Sequence, residues 1–341
     1  MRCYRLLLLL WSLLLVLSGC DAASASEMRS AEFFAMDTVM SVRAYASDDA
    51  VLSELPALVG ELENELSTTK EGSAVYALNH DGHATMTDDA ALLLSRALAL
   101  CGETSGALDI SVYPVVRAWG FTSADGSYRV PDTDELAVLL QSVDYTRVTL
   151  KDGTAYLPEG MEIDLGAVAK GYAGDKIAAY LREKGVTSAL LDLGGNVQTV
   201  GKKPDGSDWR VAVQDPNGDA LLGVLTVSDQ AVITSGGYER YFIDETGTLW
   251  WHIMDPRSGY PARNGLVSVT VVGDEGLYCD ALSTALFVMG TEDAVAFWRA
   301  HRDFEMLLVT EEGELLLTSA LAERFSPSEG LAYSIEVIDD A

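Results

Sequence analysis

The chain has 341 residues and a net charge of −29, with 52 acidic and 23 basic side chains, and 48% of its residues are hydrophobic. A surface this acidic repels nucleic acid and anionic lipid headgroups, which excludes nucleic-acid-binding proteins and proteins that bind membranes through a basic patch. The length allows one large two-lobed unit or two domains.

The first predicted element is a lipoprotein signal peptide over residues 1–19. Two arginines precede the run Leu6–Leu17, which is nearly all leucine and too short to span a membrane comfortably. The run leads into Leu-Ser-Gly and Cys20, which resembles a bacterial lipobox, in which the cysteine is lipidated. An ordinary signal peptide with a chance cysteine is the alternative. Residues 20–31, rich in Ala and Ser, are predicted to be a flexible tether.

The elements that follow predict an α+β fold over residues 32–333. Hydrophobic periodicity predicts helices at 48–66, 87–100, 132–140, after Asp164, at 279–289 and at 292–301. Predicted strands cover 33–44, 189–193, 211–213, 224–227, 231–234, 241–243, 250–254 and 267–272, with a last hairpin at 306–317. Strands in runs, with helices grouped between them, favour mixed or antiparallel sheets over a doubly wound sheet. The acidic residues 334–341 are predicted to be a loose tail.

Two cysteines remain beyond the leader and the lipobox, Cys101 and Cys279. Nothing in their spacing indicates a disulfide framework or a zinc site. They are predicted to be two separate buried thiols, although a disulfide between them is the alternative.

The segment Asp164–Gly171, with the sequence DLGAVAKG, is the most informative stretch of the chain. It combines a carboxylate, two glycines and Lys170 at the start of a predicted helix. A helix N-terminus offers free amides to a phosphate, and glycines let the backbone approach a ligand. The segment matches neither the P-loop nor the dinucleotide-binding pattern, so a different phosphate-handling geometry is required.

A second cluster lies in the segment CDALST, residues 279–284. In a helix, Asp280 and Thr284 lie one turn apart on the same face, and with Ser283 they provide oxygen ligands that suit Mg²⁺. Taken alone, the segment favours the alternative that Asp280 caps the helix while Thr284 bonds back to the helix backbone.

His252 is the histidine best placed for chemistry, because it ends a predicted strand before the turn at Asp255–Pro261. Imidazole has a pKa suited to a general base, although a structural histidine is an equal alternative. The segment Thr234–Arg240, with the sequence TSGGYER, suits phosphate binding through backbone amides or a simple hairpin turn. Two further segments carry polar candidates, TSGALD ending at Asp109 and FAMDT at residues 34–38.

In this order, these motifs resemble the ApbE family of FAD:protein FMN transferases. The family pattern runs Phe-x-Met-Gly-Thr, Thr-Gly-Gly-x-Phe-Asp, Asp-Leu-Gly-Gly-x-Ala-Lys-Gly-Tyr and Leu-Gly-Gly-Asn. It continues with Thr-Ser-Gly-x-Tyr-Glu-Arg, His-x-x-Asp-Pro-x-Thr-Gly-x-Pro and Ala-Asp-Ala-Leu-Ser-Thr. The matches in this chain span Phe34 to Gly290.

The resemblance implies a two-lobed fold with FAD in a cleft between the lobes and Mg²⁺ at the FAD diphosphate. A threonine of an acceptor protein attacks the FMN phosphorus and AMP leaves. His252 is implied as the base, and the metal would be held by Asp280, Thr284, nearby Ser283 and a backbone oxygen of Ala167. The implied FAD-lining residues are Met36, Tyr76, Ala107, Leu108, Asp109, Asp164, Lys170 and Met254. The implied acceptors are FMN-binding domains of membrane or extracellular redox systems, reached by a protein whose lipid anchor at Cys20 holds it on the extracytoplasmic face of the membrane.

One departure from the family pattern has a chemical consequence, since Asp37 stands where the family usually has Gly. Its carboxylate adds negative charge near the expected flavin, unless it points into solvent. Two other functions use the same residues. One is an FAD diphosphatase, in which water replaces the threonine, and the other is a non-catalytic FAD-binding lipoprotein.

Overall fold

The computed structural model describes residues 27–123 and 126–339. The predicted signal peptide and Cys20 lie outside these residues, and so does most of the predicted tether. No helix in the described part of the chain is long and apolar enough to cross a membrane.

Two of the helices begin at an N-cap residue whose side chain accepts from a free amide of the first turn. Thr87 Oγ1 accepts a hydrogen bond from Ala90 N at 3.2 Å, and Ser73 Oγ accepts one from Val75 N at 3.2 Å. The helices are α1 (Ala50–Ser53), α2 (Leu55–Leu66), α3 (Ala74–Asp81), α4 (Asp88–Glu103), α5 (Tyr113–Ala118), α6 (Thr133–Leu139), α7 (Gly166–Glu183), α8 (Gly276–Met289), α9 (Thr291–His301) and α10 (Ser319–Ala322).

A nine-stranded mixed sheet organises the molecule, in the order β1-β2-β6-β7-β10-β13-β14-β15-β17. All its neighbouring pairs are antiparallel except β15 with β17. Its strands are β1 (Glu27–Ala35), β2 (Thr38–Ala46), β6 (Ala189–Leu193), β7 (Asn196–Val200), β10 (Ala231–Gly236), β13 (Leu266–Gly273), β14 (Glu305–Thr310), β15 (Glu314–Thr318) and β17 (Ser334–Ile338).

Three small sheets accompany the large one. They are formed by β3 (His83–Thr85), β5 (Thr154–Tyr156) and β4 (Thr149–Lys151); by β16 (Phe325–Pro327), β9 (Leu221–Val227) and β8 (Trp209–Gln214); and by β11 (Tyr241–Ile243) with β12 (Leu249–Trp251). The α+β class with mixed and antiparallel sheets and flanking helices, predicted from the sequence, is therefore confirmed.

The large sheet is covered on both faces. Helices α2, α4, α7 and α8 contribute to the main core with strand residues such as Met40 and Val42. The other face packs against β8 and β9 through a separate cluster that includes Val211 and Leu225. A third, smaller core surrounds Trp119, and it supports the part of the chain that carries His252.

The single strand predicted over residues 33–44 is wrong, because the chain forms the hairpin β1–β2 there. The turn lies at Met36 and Asp37, whose φ angles are 48° and 58°. Both strands have alternating burial, so the period-2 pattern continues across the turn and hides it. The turn itself is detectable only from the left-handed backbone, which Asp tolerates better than most residues.

The predicted boundaries of the tether and the tail also need correction. Residues 27–31 of the predicted tether belong to β1, which pairs along its length with β2. Residues 334–338 of the predicted loose tail form β17, paired in parallel with β15. Ile335 and Val337 are exposed on this strand and Ile338 is buried in the main core, so the backbone ladder and one core contact hold the strand in place.

Cys101 and Cys279 are free thiols, and both are buried, as predicted. Burial raises the pKa of the Cys101 thiol to about 12 and raises that of Cys279 well above its ordinary value. Neither thiol is poised for nucleophilic chemistry, because the reactive thiolate is disfavoured at both.

Candidate active site

The candidate site centres on the contact between α7 and α8, beside β7 and the end of β10. Asp280 lies in the second turn of α8, which begins at Gly276. It is therefore not the cap of this helix, contrary to the alternative considered from the sequence. The amides of the first turn of α8 are instead satisfied by Asp175 of α7, at 2.7 and 2.8 Å from Gly276 N and Leu277 N.

The Asp280 carboxylate is buried, with 5% of its surface exposed. Its Oδ2 accepts a hydrogen bond from Gly171 N at 2.8 Å. Burial raises the pKa of the Asp280 carboxyl, while Lys170, Gly171 N and the side chain of Asn196 oppose that rise. A buried carboxylate with few donors gains most from a nearby cation.

Three hydroxyl groups lie near Asp280, since Ser283 and Thr284 follow it by three and four residues on α8 and Ser235 of β10 contacts both of them. We term these four residues the oxygen cluster: Asp280, Ser283, Thr284 and Ser235. Ser235 Oγ lies 2.8 Å from Ser283 Oγ and 3.3 Å from Thr284 Oγ1. Ser283 Oγ also donates to the Asp280 carbonyl at 2.9 Å. The predicted metal-site side chains are thus brought together, and β10 adds Ser235 to them.

Ala167 lies in the first turn of α7, close to the oxygen cluster. In a regular helix the amide of Gly171 faces the carbonyl of Ala167. Since that amide donates to Asp280, the carboxylate lies beside the Ala167 carbonyl oxygen. The proximity fits the predicted role of Ala167 O as a ligand, which stays a prediction.

Asp164 precedes α7 and holds the start of this helix. Its Oδ1 accepts a hydrogen bond from Gly166 N at 2.7 Å. Burial raises the pKa of the Asp164 carboxyl, and Gly166 N and the guanidinium of Arg240 counteract that effect. Asp164 is half-buried, whereas Asp280 is buried, and a cation of the site favours the ionised form of each carboxylate.

Two cations stand near these carboxylates, Lys170 on α7 and Arg240 just before β11. Lys170 favours the ionised forms of Asp280 and Glu239, and Arg240 does so for Asp164 and Glu239. Within residues 27–123 and 126–339, neither cation forms a salt bridge. In so acidic a protein, two positive charges without a direct ion pair indicate a site for an anionic ligand.

His252 follows β12 and is oriented by the backbone. Its Nδ1 lies 3.3 Å from the carbonyl oxygen of Arg240, which only accepts hydrogen bonds, so Nδ1 carries the proton and Nε2 remains an acceptor. Burial, together with the positive charges of Arg240 and Lys170, lowers the pKa of His252 to about 4. The imidazole is therefore neutral near pH 7.

The turn of the β1–β2 hairpin brings Met36 into the main core, where it is half-buried. Its amide donates to Glu63 Oε2 at 3.1 Å. Asp37 is exposed at the tip of the turn. The left-handed backbone at this position explains why a glycine suits it, since glycine adopts positive φ without strain. The charge that Asp37 adds points to solvent.

The other predicted flavin-lining residues form hydrogen bonds or packing contacts with neighbouring residues of the chain. Asp109 Oδ1 accepts from Ser111 N and Ser111 Oγ at 2.8 and 2.6 Å, and its Oδ2 accepts from Tyr145 N at 3.2 Å. This carboxylate therefore fixes its own loop. The remaining side chains are held by packing: those of Ala107, Leu108 and Met254 are buried, and Tyr76 stacks on His80 at 3.9 Å between ring centroids. Their contact with flavin stays a prediction.

Four residues of the site are absent from the set predicted by sequence: Asn196, Ser235, Glu239 and Arg240. Three of them lie in the TSGGYER segment, where the motif was noted but its side chains were not assigned. Asn196 ends the Leu-Gly-Gly-Asn motif; its side chain lies beside Asp280, and its buried Nδ2 makes no hydrogen bond of normal geometry within the described residues. The two sequence motifs are enough to identify these segments as candidates, but only the fold shows which of their side chains lie near the oxygen cluster.

Comparisons with known proteins agree on one family. The family model described as "ApbE family" matches residues 36–308. An FAD:protein FMN transferase from Klebsiella pneumoniae (strain 342) is 36% identical over 314 residues, which cover 89% of this chain and 95% of the relative. One from Treponema pallidum (strain Nichols) is 35% identical and covers 84% of each chain.

Solved structures give the same result. The ApbE protein from Thermotoga maritima superposes with a TM-score of 0.83 at 29% identity, covering 88% of this chain and 100% of that one. The apo form of the Pseudomonas stutzeri flavinyl transferase ApbE has a TM-score of 0.79 at 28% identity, with 89% and 98% covered.

Proposed function

Because this chain belongs to the ApbE family and is an FAD:protein FMN transferase, we propose that it attaches FMN to a threonine of an acceptor protein, with Mg²⁺ as cofactor and AMP as leaving group. The observation that carries the proposal is the oxygen cluster, in which a buried carboxylate and three hydroxyls meet beside Lys170. FAD would lie in the cleft between lobes, along Asp164, Lys170 and His252.

The oxygen cluster fits Mg²⁺. This ion is usually held by one or two carboxylates together with substrate phosphates and water. Asp280 supplies the carboxylate, Thr284 and Ser283 supply hydroxyl oxygens, and Ala167 supplies a carbonyl. The raised pKa of Asp280 also fits, because a divalent cation would favour the ionised form that burial disfavours. Mg²⁺ bound here would supply Lewis acidity at the FAD diphosphate.

The protein's own cations complete the charge balance of the reaction. Lys170 and Arg240 favour the ionised forms of the nearby carboxylates and would neutralise charge on the diphosphate oxygens as the phosphorus–oxygen bond breaks. Phosphoryl transfer requires positioning and charge neutralisation more than covalent chemistry by the enzyme.

His252 is the proposed base. The acceptor threonine Oγ forms a bond to the FMN phosphorus, the bridging phosphorus–oxygen bond to AMP breaks, and the threonine proton moves to His252 Nε2. The Arg240 carbonyl keeps the proton on Nδ1, which leaves Nε2 free to accept. Because the pKa of His252 is about 4, the imidazole is neutral and able to accept a proton across the physiological range.

The proposed acceptors are FMN-binding domains of membrane or extracellular redox systems, and the proposed location is the extracytoplasmic face of the membrane, with a lipid on Cys20. The lipobox-like sequence supports the anchor. Growth with a labelled fatty acid tests it, because the label should appear on the full-length protein and be lost in Cys20→Ser. A labelled Cys20→Ser protein would contradict the anchor.

Mass spectrometry of an FMN-binding acceptor domain tests the reaction. The acceptor is incubated with FAD, Mg²⁺ and the protein lacking residues 1–26. We expect one added FMN on a threonine, and no addition when EDTA is present. Unmodified acceptor with AMP in solution would favour the diphosphatase, in which water takes the place of the threonine. Unmodified acceptor with intact, bound FAD would favour the non-catalytic flavin carrier.

A further inference from the structure

Beneath the oxygen cluster, α7 and α8 approach more closely than any side chain would permit. A Cβ added to Gly171 would lie 2.2 Å from Gly276 O and 2.7 Å from Asp280 Cβ. A Cβ added to Gly276 would lie 2.6 Å from Gly171 O and 1.7 Å from Gln198 Nε2. The two helices therefore touch backbone to backbone, directly beside the residue proposed to bind the metal.

Two polar side chains lock this contact. The Asp175 carboxylate crosses from α7 to the first turn of α8, where it accepts hydrogen bonds from Gly276 N and Leu277 N. Gln198 of β7 donates from Nε2 to Gly171 O at 3.0 Å, and its side chain also hydrogen-bonds Asp175. The same residue, Gly171, donates its amide to Asp280.

We propose that Asp175, assisted by Gln198, is a positioning residue that fixes the first turn of α8 against α7 and thereby sets the Asp280 carboxylate and the Thr284 hydroxyl for metal binding. Asp175 contacts neither the predicted ligands nor a substrate; it acts through the backbone of α8. The inference rests on the proposed metal site. Outer partners of this kind change metal affinity by roughly 10- to 100-fold when they are removed.

The chemistry requires an ionised carboxylate. Two oxygens accept from two successive amides, whereas the amide group of asparagine has one acceptor and one donor, which repels the second N–H. The groups that face Asp175 are Glu275 and Cys279 of α8, Tyr172 of α7 and Gln198 of β7. Burial, with a smaller effect from the negative charge of Glu275, raises the pKa of Asp175 to about 6.

The test measures Mn²⁺ binding by electron paramagnetic resonance, without FAD or turnover, in the protein lacking residues 1–26. Asp175→Asn should weaken Mn²⁺ binding by at least about 10-fold. Gln198→Ala, which removes the donor to Gly171 O and a hydrogen bond to Asp175 but keeps the Asp175 carboxylate, should weaken it by less. The matched control is Asp89→Asn, because Asp89 of α4 also anchors α7 through Tyr172 and Lys176 but, in the described part of the chain, forms no hydrogen bond to α8. This control should leave Mn²⁺ affinity unchanged.

A pH series separates positioning from general destabilisation. As the pH falls through about 6, wild-type Asp175 is protonated and gives up one of its two acceptors, so Mn²⁺ affinity should fall more steeply than in Asp175→Asn. Protonation of Asp175 itself should not lower fold stability, since its raised pKa means that the folded state binds this proton more tightly than the unfolded state does. The stability loss caused by His252 over this pH range should be the same in the wild type and in Asp175→Asn. In Asp175→Asn, the remaining dependence of Mn²⁺ affinity on pH is due to Asp280 and the other ligands.

Several outcomes overturn the inference. If Asp175→Asn and Gln198→Ala fold and bind Mn²⁺ like the wild type, Asp175 has no positioning role. If Asp175→Asn keeps the wild-type pH slope, its effect is merely structural. If the wild type itself binds no Mn²⁺ although acceptor flavinylation proceeds, the metal site is elsewhere and the inference falls, while the transferase activity stands.

Discussion

The two halves of the site are constructed in opposite ways. The oxygen cluster lies where α7 and α8 touch through Gly171 and Gly276, with no space for an added methyl group. His252 lies instead beside a two-stranded sheet, supported by aromatic packing, with Phe121 at 6.3 Å between ring centroids. We call the oxygen cluster the metal side of the site and the surroundings of His252 the base side. Backbone contact fixes the metal side, and side-chain packing supports the base side. We infer that the metal side tolerates little change in volume, whereas the base side can adjust to the acceptor protein.

The variant expected to have the largest effect is Asp280→Ala. It removes the only carboxylate of the oxygen cluster, so flavin transfer should fall by at least about 10³-fold, measured by mass spectrometry of the acceptor. The fold should persist, because burial makes this carboxylate costly, as its raised pKa shows. Mg²⁺-dependent transfer at a rate near that of the wild type would remove Asp280 from the metal site.

On the base side, His252→Ala should slow transfer by roughly 10²- to 10³-fold, because the proton of the acceptor threonine loses its acceptor. FAD affinity, measured by flavin fluorescence, should change much less. The contrast between rate and affinity distinguishes a base from a binding residue. Equal rates in variant and wild type would end the role of His252 as base.

The same variant tests the depressed pKa of His252. A folded pKa of about 4, against an ordinary value of 6.5, means that the neutral imidazole contributes stability fully above pH 6.5 and loses it as the pH falls through 4. In urea unfolding at pH 7 and pH 5, the wild type should therefore lose more stability between the two pH values than His252→Ala does. Equal losses would show that the pKa of His252 is not depressed.

The substitution Gly171→Ala tests whether the metal side is rigid. The added Cβ would meet Gly276 O at 2.2 Å, and backbone cannot move away cheaply. We expect a loss of about 2–3 kcal/mol in the free energy of unfolding, measured by urea denaturation, together with weaker Mn²⁺ binding.

The matched control for this variant is Gly60→Ala, in the interior of α2, where an added Cβ would find no atom within 4 Å. That substitution should stabilise the protein by about 0.5–1 kcal/mol through helix propensity. If both substitutions change the free energy of unfolding in the same direction, the close approach of α7 and α8 is not the reason that position 171 requires glycine.

The smallest effect is expected for Asp37→Gly, at the exposed tip of the β1–β2 hairpin. Its φ of 58° favours glycine, but Asp tolerates this conformation, so stability should change by less than about 1 kcal/mol. Since the side chain points to solvent, FAD affinity should change by no more than about 2-fold. A larger gain in affinity would place the Asp37 carboxylate against the flavin.

Much of the fold could be predicted from local signals. The apolar residues Leu52, Leu55, Val59 and Leu62 of the helix predicted over residues 48–66 are all buried, although the structure divides this segment into α1, which holds Leu52, and α2. The strand at 189–193 and the capping of α4 by Thr87 also follow the predicted pattern. The β1–β2 turn was not predictable, because period-2 alternation continues through it. The strand β17 was missed although Ile335 and Val337 alternate with polar residues, because that short pattern lies in an acidic C-terminal segment.

The sequence by itself determined the family and the residue types of the site, because ordered motifs retain their spacing whatever the packing around them. The tertiary structure alone decided three other things: that Ser235 of β10 joins the hydroxyls beside Asp280, that Asp175 and not Asp280 caps α8, and that Gly171 permits the contact between α7 and α8. The physical reason is distance along the chain. Asp175 and Gly276 are separated by about a hundred residues, so their contact leaves no local pattern, whereas a helix face or a turn is encoded by neighbours a few residues apart.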